Sequence, residues 1–203
     1  MKKVDFLFIY ELKARELENL CLLRAELEKR GYSVAFLNSW YGINHKPVRY
    51  NARVLVVSAC YDGGTLGFFS SFAGKFRQVA NLQWEQIMSN DKVFDKDSVW
   101  YISGLARAAT HISWGDWNKN RLIDFCGVPK ENVKITGHIG LDFLRKEFDG
   151  YYLTKEKLFE QYNLTKYKKV CLFISSFSLI NLPEKEMQTA AGAIDIKAQY
   201  QMF

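Results

Sequence analysis

The chain has 203 residues, of which 48% are hydrophobic and 25% are charged, and its formal net charge is +6. This balance is typical of a globular protein with a sizeable core, and no apolar window reaches the length of a membrane span. The positive charge favours anionic partners. The basic residues are nevertheless scattered along the sequence without a nucleic-acid-binding motif, so no nucleic acid partner is predicted.

The first half of the chain alternates between strand and helix patterns. Residues 4–10 are mostly apolar, aromatic and β-branched, as in a strand covered on both faces. Residues 12–30 repeat leucines at helical spacing and end at Gly31, which suits a helix terminus. The other elements predicted in this half are strands over residues 32–37, 54–59 and 78–84 and helices over residues 62–75 and 99–109.

The clearest pattern lies in residues 111–144. A strand over residues 112–114, a helix over residues 116–126 and a strand over residues 133–136 follow one another, and a short helix is predicted over residues 141–147. Two short strands joined by one helix form a βαβ unit with parallel strands. The predicted fold class is therefore α/β, a Rossmann-like doubly wound parallel sheet.

The composition changes after Phe148. Asp149-Gly150 marks a turn, a charged helix follows over residues 154–162, and a fresh buried-type strand is predicted over residues 170–175. The predicted division is an N-terminal domain over residues 1–148, a linker with a helix over residues 149–169, and the truncated start of a second domain over residues 170–203.

Neither a metal nor a cofactor is predicted. The four cysteines form no Cys-x-x-Cys pair, and the three histidines show no short ligand spacing. The loop after the first strand contains no glycine, which argues against a pyrophosphate cradle for a dinucleotide. The apolar run near the amino terminus is too short for a signal peptide and contains Asp5, so a cytosolic protein is expected.

Ligands of parallel sheets bind beyond the carboxyl ends of the strands, so the candidate residues lie in loops. After the first strand, Glu11, Lys13 and Arg15 offer charged side chains to a ligand, or they form a solvated first helical turn. After the third strand, Gly63 and Gly64 precede a helix whose free N–H groups suit an anion. The same glycines also make an ordinary turn.

After the fourth strand, Glu85 and Gln86 are candidates for binding sugar hydroxyls or for a base, with Trp84 beside them to stack on a sugar face. An ordinary strand terminus is the alternative.

Two further loops carry Trp114-Gly115 and Gly137-His138. A histidine near Asp142 would form an oriented acid–base pair, although a structural histidine is the more common case.

A peripheral membrane contact is a further hypothesis. Phe68, Phe69 and Phe72 lie close in sequence to Lys75 and Arg77, which suits an amphipathic face on an anionic membrane. Packing of a helix against the sheet explains the same phenylalanines more simply.

Several segments resemble bacterial surface-carbohydrate biosynthesis proteins, which are glycosyltransferase-like proteins of the B-type (GT-B) fold. That group is distantly similar to CDP-glycerol glycerophosphotransferases and UDP-N-acetylglucosamine 2-epimerases. The resemblance covers nearly all of residues 1–180. It is carried by Tyr10-Glu11-x-Lys13-x-Arg15-Glu16-Leu17-Glu18, Ser113-Trp114-Gly115, Cys126-Gly127-Val128, Lys134-Ile135-Thr136-Gly137, Leu141-Asp142 and the strand KVCLFISSF.

The resemblance implies that the first domain faces a glycan acceptor, while a second domain binds a nucleotide-activated sugar. Glu85 or His138 would then be the base that deprotonates the acceptor hydroxyl. Members of the group are longer and this chain lacks most of the donor-binding half, so the chain alone is expected to be inactive. The alternatives are a CDP-glycerol-type phosphotransferase, a UDP-sugar 2-epimerase, or a non-catalytic subunit that needs a partner chain. The inner face of the membrane is the expected location if the protein contacts lipid.

Overall fold

The structure is a computed structural model and describes residues 1–39, 49–86, 94, 96–98 and 100–172. The chain divides into two compact units, Met1–Tyr151 and Tyr152–Phe203. Residues 170–172 have no regular secondary structure, and the rest of the strand predicted over residues 170–175 lies outside the described residues.

The first unit is built on a six-stranded sheet in the order β2-β1-β3-β4-β5-β6, and all neighbouring strands are parallel. This arrangement, with helices on both faces, confirms the predicted α/β doubly wound fold. The strands are β1 (Lys2–Tyr10), β2 (Val34–Asn38), β3 (Tyr50–Val57), β4 (Gly74–Asn81), β5 (Thr110–Ser113) and β6 (Val133–Ile135).

The helices are shorter and less regular than the sequence predicts. The α-helices are α1 (Glu18–Lys29), α2 (Gly63–Ala73), α3 (Asp116–Asn120) and, in the second unit, α4 (Lys155–Gln161). π-Helical turns precede α1 at Lys13–Leu17 and follow α3 at Arg121–Phe125, and 3-10 turns form at Gly104–Ala108, Lys130–Asn132, Ile139–Leu144 and Lys146–Phe148.

Of the helix predicted over residues 99–109, the described residues form only the 3-10 turn at Gly104–Ala108. Gly104 has a φ angle of 51°, which an α-helix does not accept, and only one 3-10 turn forms before β5 begins at Thr110. Helix α4 of the second unit is capped by Thr154, whose Oγ1 accepts a hydrogen bond from Lys157 N at 3.4 Å.

Two apolar clusters cover the two faces of the sheet. Successive side chains of a strand point to opposite faces, so Leu7 belongs to one cluster and Phe8 to the other. Helix α1 follows β1 and packs through Leu20 on the Phe8 face, whereas α2 follows β3 and packs through Phe69 on the Leu7 face. Each such buried side chain contributes about 1.5–3 kcal/mol.

This topology creates a crevice at the carboxyl edge of the sheet. Strands β1 and β3 are neighbours, yet the chain leaves them towards opposite faces. Their loops therefore diverge, and such a switch point is where ligands bind in open α/β sheets.

The fold buries one phenylalanine of the membrane hypothesis and leaves another partly exposed. Phe69 is fully buried in the core, as the packing explanation requires, while Phe68 is 41% exposed and touches the Phe69 ring edge-on at 5.2 Å. The side chain of Phe72 lies outside the described residues. Among the described residues no helix has the length and apolar character needed to cross a bilayer.

His111 is a structural residue of the sheet. Its side chain is fully buried, with Nε2 2.9 Å from the Ala106 carbonyl and Nδ1 3.1 Å from Asn81 Nδ2. This pattern assigns a neutral ring that donates from Nε2 and accepts at Nδ1. Burial lowers the pKa of His111 because a charged ring would lose its hydration there.

We therefore expect acid to destabilise the fold through His111. The unfolded chain binds this proton below about pH 6.5, whereas the folded chain resists protonation until a lower pH. Above that pH, neutral His111 makes its full contribution to the free energy of unfolding, and this contribution is lost as the pH falls. In urea titrations, His111→Asn should be less stable than the wild type at pH 7.5. The difference in the free energy of unfolding between the two proteins should narrow by up to about 1.4 kcal/mol per pH unit below pH 6.5. A gap that is independent of pH would contradict this assignment.

Candidate functional site

The loops after β1 and β4 meet at the carboxyl edge of the sheet, where the guanidinium of Arg15 connects them. Its Nη2 lies 2.7 Å from Glu16 Oε1 and 3.3 Å from Glu11 Oε2, and its Nη1 lies 3.3 Å from Glu85 Oε1. The structure thus brings together three of the residues singled out in the sequence, Glu11, Arg15 and Glu85.

Glu16 is the fixed centre of this group. It was not among the candidate residues chosen from the sequence. Its side chain is fully buried and accepts hydrogen bonds from the backbone N–H groups of Glu11 (3.0 Å) and Leu12 (3.4 Å) as well as from Arg15. The carboxylate therefore satisfies N–H groups at the start of the helical segment, which lack partners within the helix. No local signal distinguishes Glu16 from the exposed glutamates of α1.

The carboxylates alter the protonation of their neighbours. The pKa of Glu11 is raised, first by burial and then by the negative charges of Glu16 and Glu85, against the opposing charge of Arg15. Burial, followed by the charges of Glu85 and Glu11, raises the pKa of Tyr61 to about 12. The Tyr61 hydroxyl therefore stays protonated at neutral pH and remains a hydrogen-bond donor.

Glu85 stands at the open side of the cluster. Its side chain is 51% exposed, and its Oε2 lies 3.4 Å from Trp100 Nε1, while Oε1 meets Arg15. Glu85 can thus touch both solvent and the buried part of the cluster.

His138 is held between two tryptophans. Its ring meets Trp114 at 4.2 Å and Trp84 at 5.7 Å, edge-on in both cases. A Cβ on Gly140 would approach His138 Cε1 to 2.7 Å, so the glycine leaves room for the ring. Burial lowers the pKa of His138. In the described part of the chain neither ring nitrogen has a hydrogen-bond partner, so both can meet a ligand.

The predicted pairing of a histidine with Asp142 does not form. Asp142 is exposed within the 3-10 turn Ile139–Leu144, and no hydrogen bond or ion pair links it to His138 among the residues described.

Gln86 has a structural role in place of the predicted binding role. Its Nε2 donates to the carbonyls of Leu82 (3.2 Å) and Ile112 (2.7 Å), and its Oε1 accepts from Trp114 N (2.7 Å) and Asn118 Nδ2 (2.9 Å). These four bonds use the full capacity of a carboxamide. The side chain fastens the end of β4 to β5 and α3 and has nothing left for a ligand.

The two glycines after β3 begin α2. Asp62 caps this helix by accepting from Thr65 N at 2.7 Å, and Thr65 Oγ1 accepts in return from Asp62 N at 3.1 Å. The Thr65 hydroxyl also donates to Asp62 Oδ1 at 2.5 Å, and this bond, followed by the one from Thr65 N, lowers the pKa of Asp62. The helix amino terminus at Gly63 and Gly64 is therefore occupied by the protein's own carboxylate, which competes with any anion.

The remaining predicted residues lie apart from the Arg15 cluster. Lys13 lines a groove of about 620 Å³ between α1 and the aromatic side chains of Phe143 and Tyr151. Gly137 has a φ angle of 83° and turns the chain before His138. The carbonyl of Gly115 accepts a hydrogen bond from Ser113 Oγ at 2.8 Å.

Buried polar atoms without partners mark the loops after β3 and β4. Both side-chain polar atoms of Gln83, together with Ser58 Oγ and Trp84 Nε1, are buried and unbonded within the described residues. Gln83 also adopts a φ angle of 44°, which is uncommon for a residue other than glycine. Such atoms in a folded protein call for a bound water or ligand. The sequence pattern missed Ser58 and Gln83.

The described residues include no group of three or more potential metal ligands. Searches with this chain against protein-family models, curated protein sequences and solved structures return no match.

Loss of the Glu16 charge should loosen the whole cluster. Glu16→Gln leaves Arg15 without its buried partner and should lower the free energy of unfolding by about 2–4 kcal/mol. The matched control is Glu28→Gln, which breaks an exposed pair with Arg24 on α1 and should cost no more than about 0.5 kcal/mol. Urea denaturation of the two variants measures both values, and equal losses would show that Glu16 does not organise the loop.

The protonation of His138 should depend on its tryptophan neighbours. Titration of the ring by NMR should give a midpoint below about 6.5, because burial disfavours the charged form. Trp114→Ala should raise that midpoint by exposing the ring. Trp117→Ala changes a half-exposed tryptophan of α3 and should leave the midpoint unchanged. A midpoint that Trp114→Ala leaves unchanged would show that burial by Trp114 does not lower the pKa of His138.

Proposed function

We propose that this chain is a glycosyltransferase-like protein of bacterial cell-surface polysaccharide biosynthesis, and that its first unit binds the glycan acceptor. The nucleotide-activated sugar would be bound by a second domain or a partner chain. The observation that carries the proposal is the cluster of Glu11, Glu16 and Glu85 around Arg15, at the switch point of a parallel sheet.

The chemistry of this edge suits a sugar. Carboxylate oxygens accept hydrogen bonds from hydroxyl groups, and the protonated Tyr61 hydroxyl supplies a donor. Trp114 adds an aromatic surface beside His138, and a partly apolar sugar face packs well on such a surface.

His138 is the better of the two candidate bases. Each oxygen of Glu85 already accepts one hydrogen bond, from Arg15 or from Trp100, which fixes this carboxylate in place and leaves it lone pairs to accept from an acceptor hydroxyl. The nitrogens of His138 have no partner among the described residues, and its lowered pKa keeps the ring neutral at pH 7. In the proposed reaction a ring nitrogen of His138 takes the proton of an acceptor hydroxyl. The oxygen then bonds to the anomeric carbon of the donor sugar, and the nucleotide diphosphate leaves with the electron pair of the broken bond.

Glu85 would then bind the acceptor. Stabilisation of the departing diphosphate requires positive charge or N–H groups near it, and these would come from the donor-binding half. We therefore expect the 203-residue chain by itself to show acceptor binding without sugar transfer.

The test is binding of a panel of surface-polysaccharide oligosaccharides, measured by saturation-transfer NMR and calorimetry. At least one member should bind saturably, and Glu85→Gln should weaken that binding about tenfold or more, as expected for loss of a charge-assisted hydrogen bond. Glu28→Gln, which changes an exposed glutamate on α1, is the control and should bind like the wild type.

The same panel separates the alternatives. Binding of UDP-N-acetylglucosamine without any oligosaccharide would favour the epimerase, and binding of CDP-glycerol would favour the phosphotransferase. Either result, or binding that Glu85→Gln leaves unchanged, would contradict the acceptor role.

A further inference from the structure

Basic side chains that are far apart in the sequence lie on neighbouring strands, away from the carboxyl edge of the sheet. The residues on either side of Asp5, Arg53 and Arg77 pair in a constant register, which places these three at equivalent positions on β1, β3 and β4. Neighbouring strands lie about 4.8 Å apart, so these side chains form a row across the sheet. Lys3 and Lys75 flank the row two positions nearer the amino ends of β1 and β4.

The row coincides with an irregularity that all three strands share. Ala52 and Leu55 belong to the same core cluster although three positions separate them, and Val54 packs on the opposite face. A regular strand would place Ala52 and Leu55 on opposite faces. The same spacing recurs in β1 and β4, where the equivalent pairs are Val4 with Leu7 and Phe76 with Val79.

The alternation of side chains therefore slips by one position at Asp5, Arg53 and Arg77, while the register between the strands does not change. Both arginines are exposed, and they occupy neighbouring positions on β3 and β4.

The charge of the row is mostly uncompensated. Asp5 lies 3.4 Å from Arg53, but its other oxygen accepts hydrogen bonds from the Ser33 backbone (2.9 Å) and hydroxyl (2.8 Å). No ion pair includes Arg77, Lys3 or Lys75 within the described parts of the chain. Four basic side chains thus face one carboxylate, which itself is largely occupied.

Two depressions open beside the row and share both arginines. One, of about 410 Å³, is lined by Phe6, Tyr32, Arg53, Val54, Arg77 and Gln78. The other, of about 350 Å³, includes Lys3 and Asn51. The rings of Phe6 and Tyr32 meet edge-on at 5.5 Å and form an apolar wall. Volumes of this size match small-molecule sites.

We infer that this face, the Arg53–Arg77 face, binds a small soluble molecule that carries a phosphate group. Guanidinium groups bind phosphate through paired N–H donors, and two of them on adjacent strands can grip one phosphate from two sides. Lys3 adds a third positive charge, and the Phe6–Tyr32 wall accommodates the uncharged part of the ligand. A concave pocket suits a small molecule better than a flat membrane surface. The inference is independent of the proposed acceptor site, which lies in the loops beyond the carboxyl ends of the strands.

The test uses the whole chain and inorganic pyrophosphate in calorimetry at low salt. Pyrophosphate should bind saturably with a stoichiometry of one, and Arg77→Gln and Arg53→Gln should each raise the Kd about tenfold or more. The control is Arg145→Gln, because Arg145 is similarly exposed but lies in another part of the unit. It should bind pyrophosphate like the wild type. Circular dichroism and thermal melting should show all three variants folded.

A second experiment distinguishes a small soluble phosphate-bearing ligand from the phosphates of a membrane surface. Vesicles of phosphatidylcholine with phosphatidylglycerol, used in co-sedimentation, should not retain the chain more strongly than vesicles of phosphatidylcholine alone. Retention by the anionic vesicles without saturable pyrophosphate binding would overturn the inference. So would equal weakening of pyrophosphate binding by all three substitutions, or no pyrophosphate binding at all.

Discussion

Pairing of β1 with β3, combined with the departure of the chain from these strands towards opposite faces, is the constraint on which the candidate site depends. Backbone hydrogen bonds hold the two strands together, so their following loops must separate at the carboxyl edge. Helix α1 covers one face through Leu20 and α2 covers the other through Phe69. The crevice between the loops is thus a consequence of burying both faces of one sheet.

Within that crevice a buried carboxylate determines the electrostatics. Removing a carboxylate from water is costly unless hydrogen bonds replace its hydration. Glu16 meets this requirement with two backbone N–H groups and the guanidinium of Arg15. The same guanidinium then draws in Glu11 and Glu85. Burial, followed by repulsion from Glu16 and Glu85, raises the pKa of Glu11. Burial, followed by the charges of Glu85 and Glu11, raises the pKa of Tyr61 and keeps its hydroxyl protonated. The hydrogen bonds that the buried Glu16 carboxylate requires therefore determine which charged groups gather at the carboxyl edge.

The two ends of the strands have opposite electrostatic character. Carboxylates dominate the loops at the carboxyl edge, whereas Arg53, Arg77 and the flanking lysines dominate the sheet face near the amino ends. Separation along the strands keeps these charges from neutralising one another, since interactions between exposed charges are screened beyond about 10 Å at 0.1 M salt. A hydroxyl-rich ligand at one end and a phosphate-bearing ligand at the other are compatible with a single sheet.

The strands and α1 followed from the sequence because their signals are local: apolar runs for buried strands and leucines at helical spacing for α1. The rule that parallel strands present ligands at their carboxyl ends was enough to select Glu11, Arg15 and Glu85. Tertiary structure decided what pairing brings together. It buried Glu16, used up the hydrogen bonds of Gln86, and aligned Arg53 with Arg77 through the register of β3 with β4. These outcomes depend on strand register and on partners distant in sequence, and neither can be predicted from a residue's neighbours along the chain.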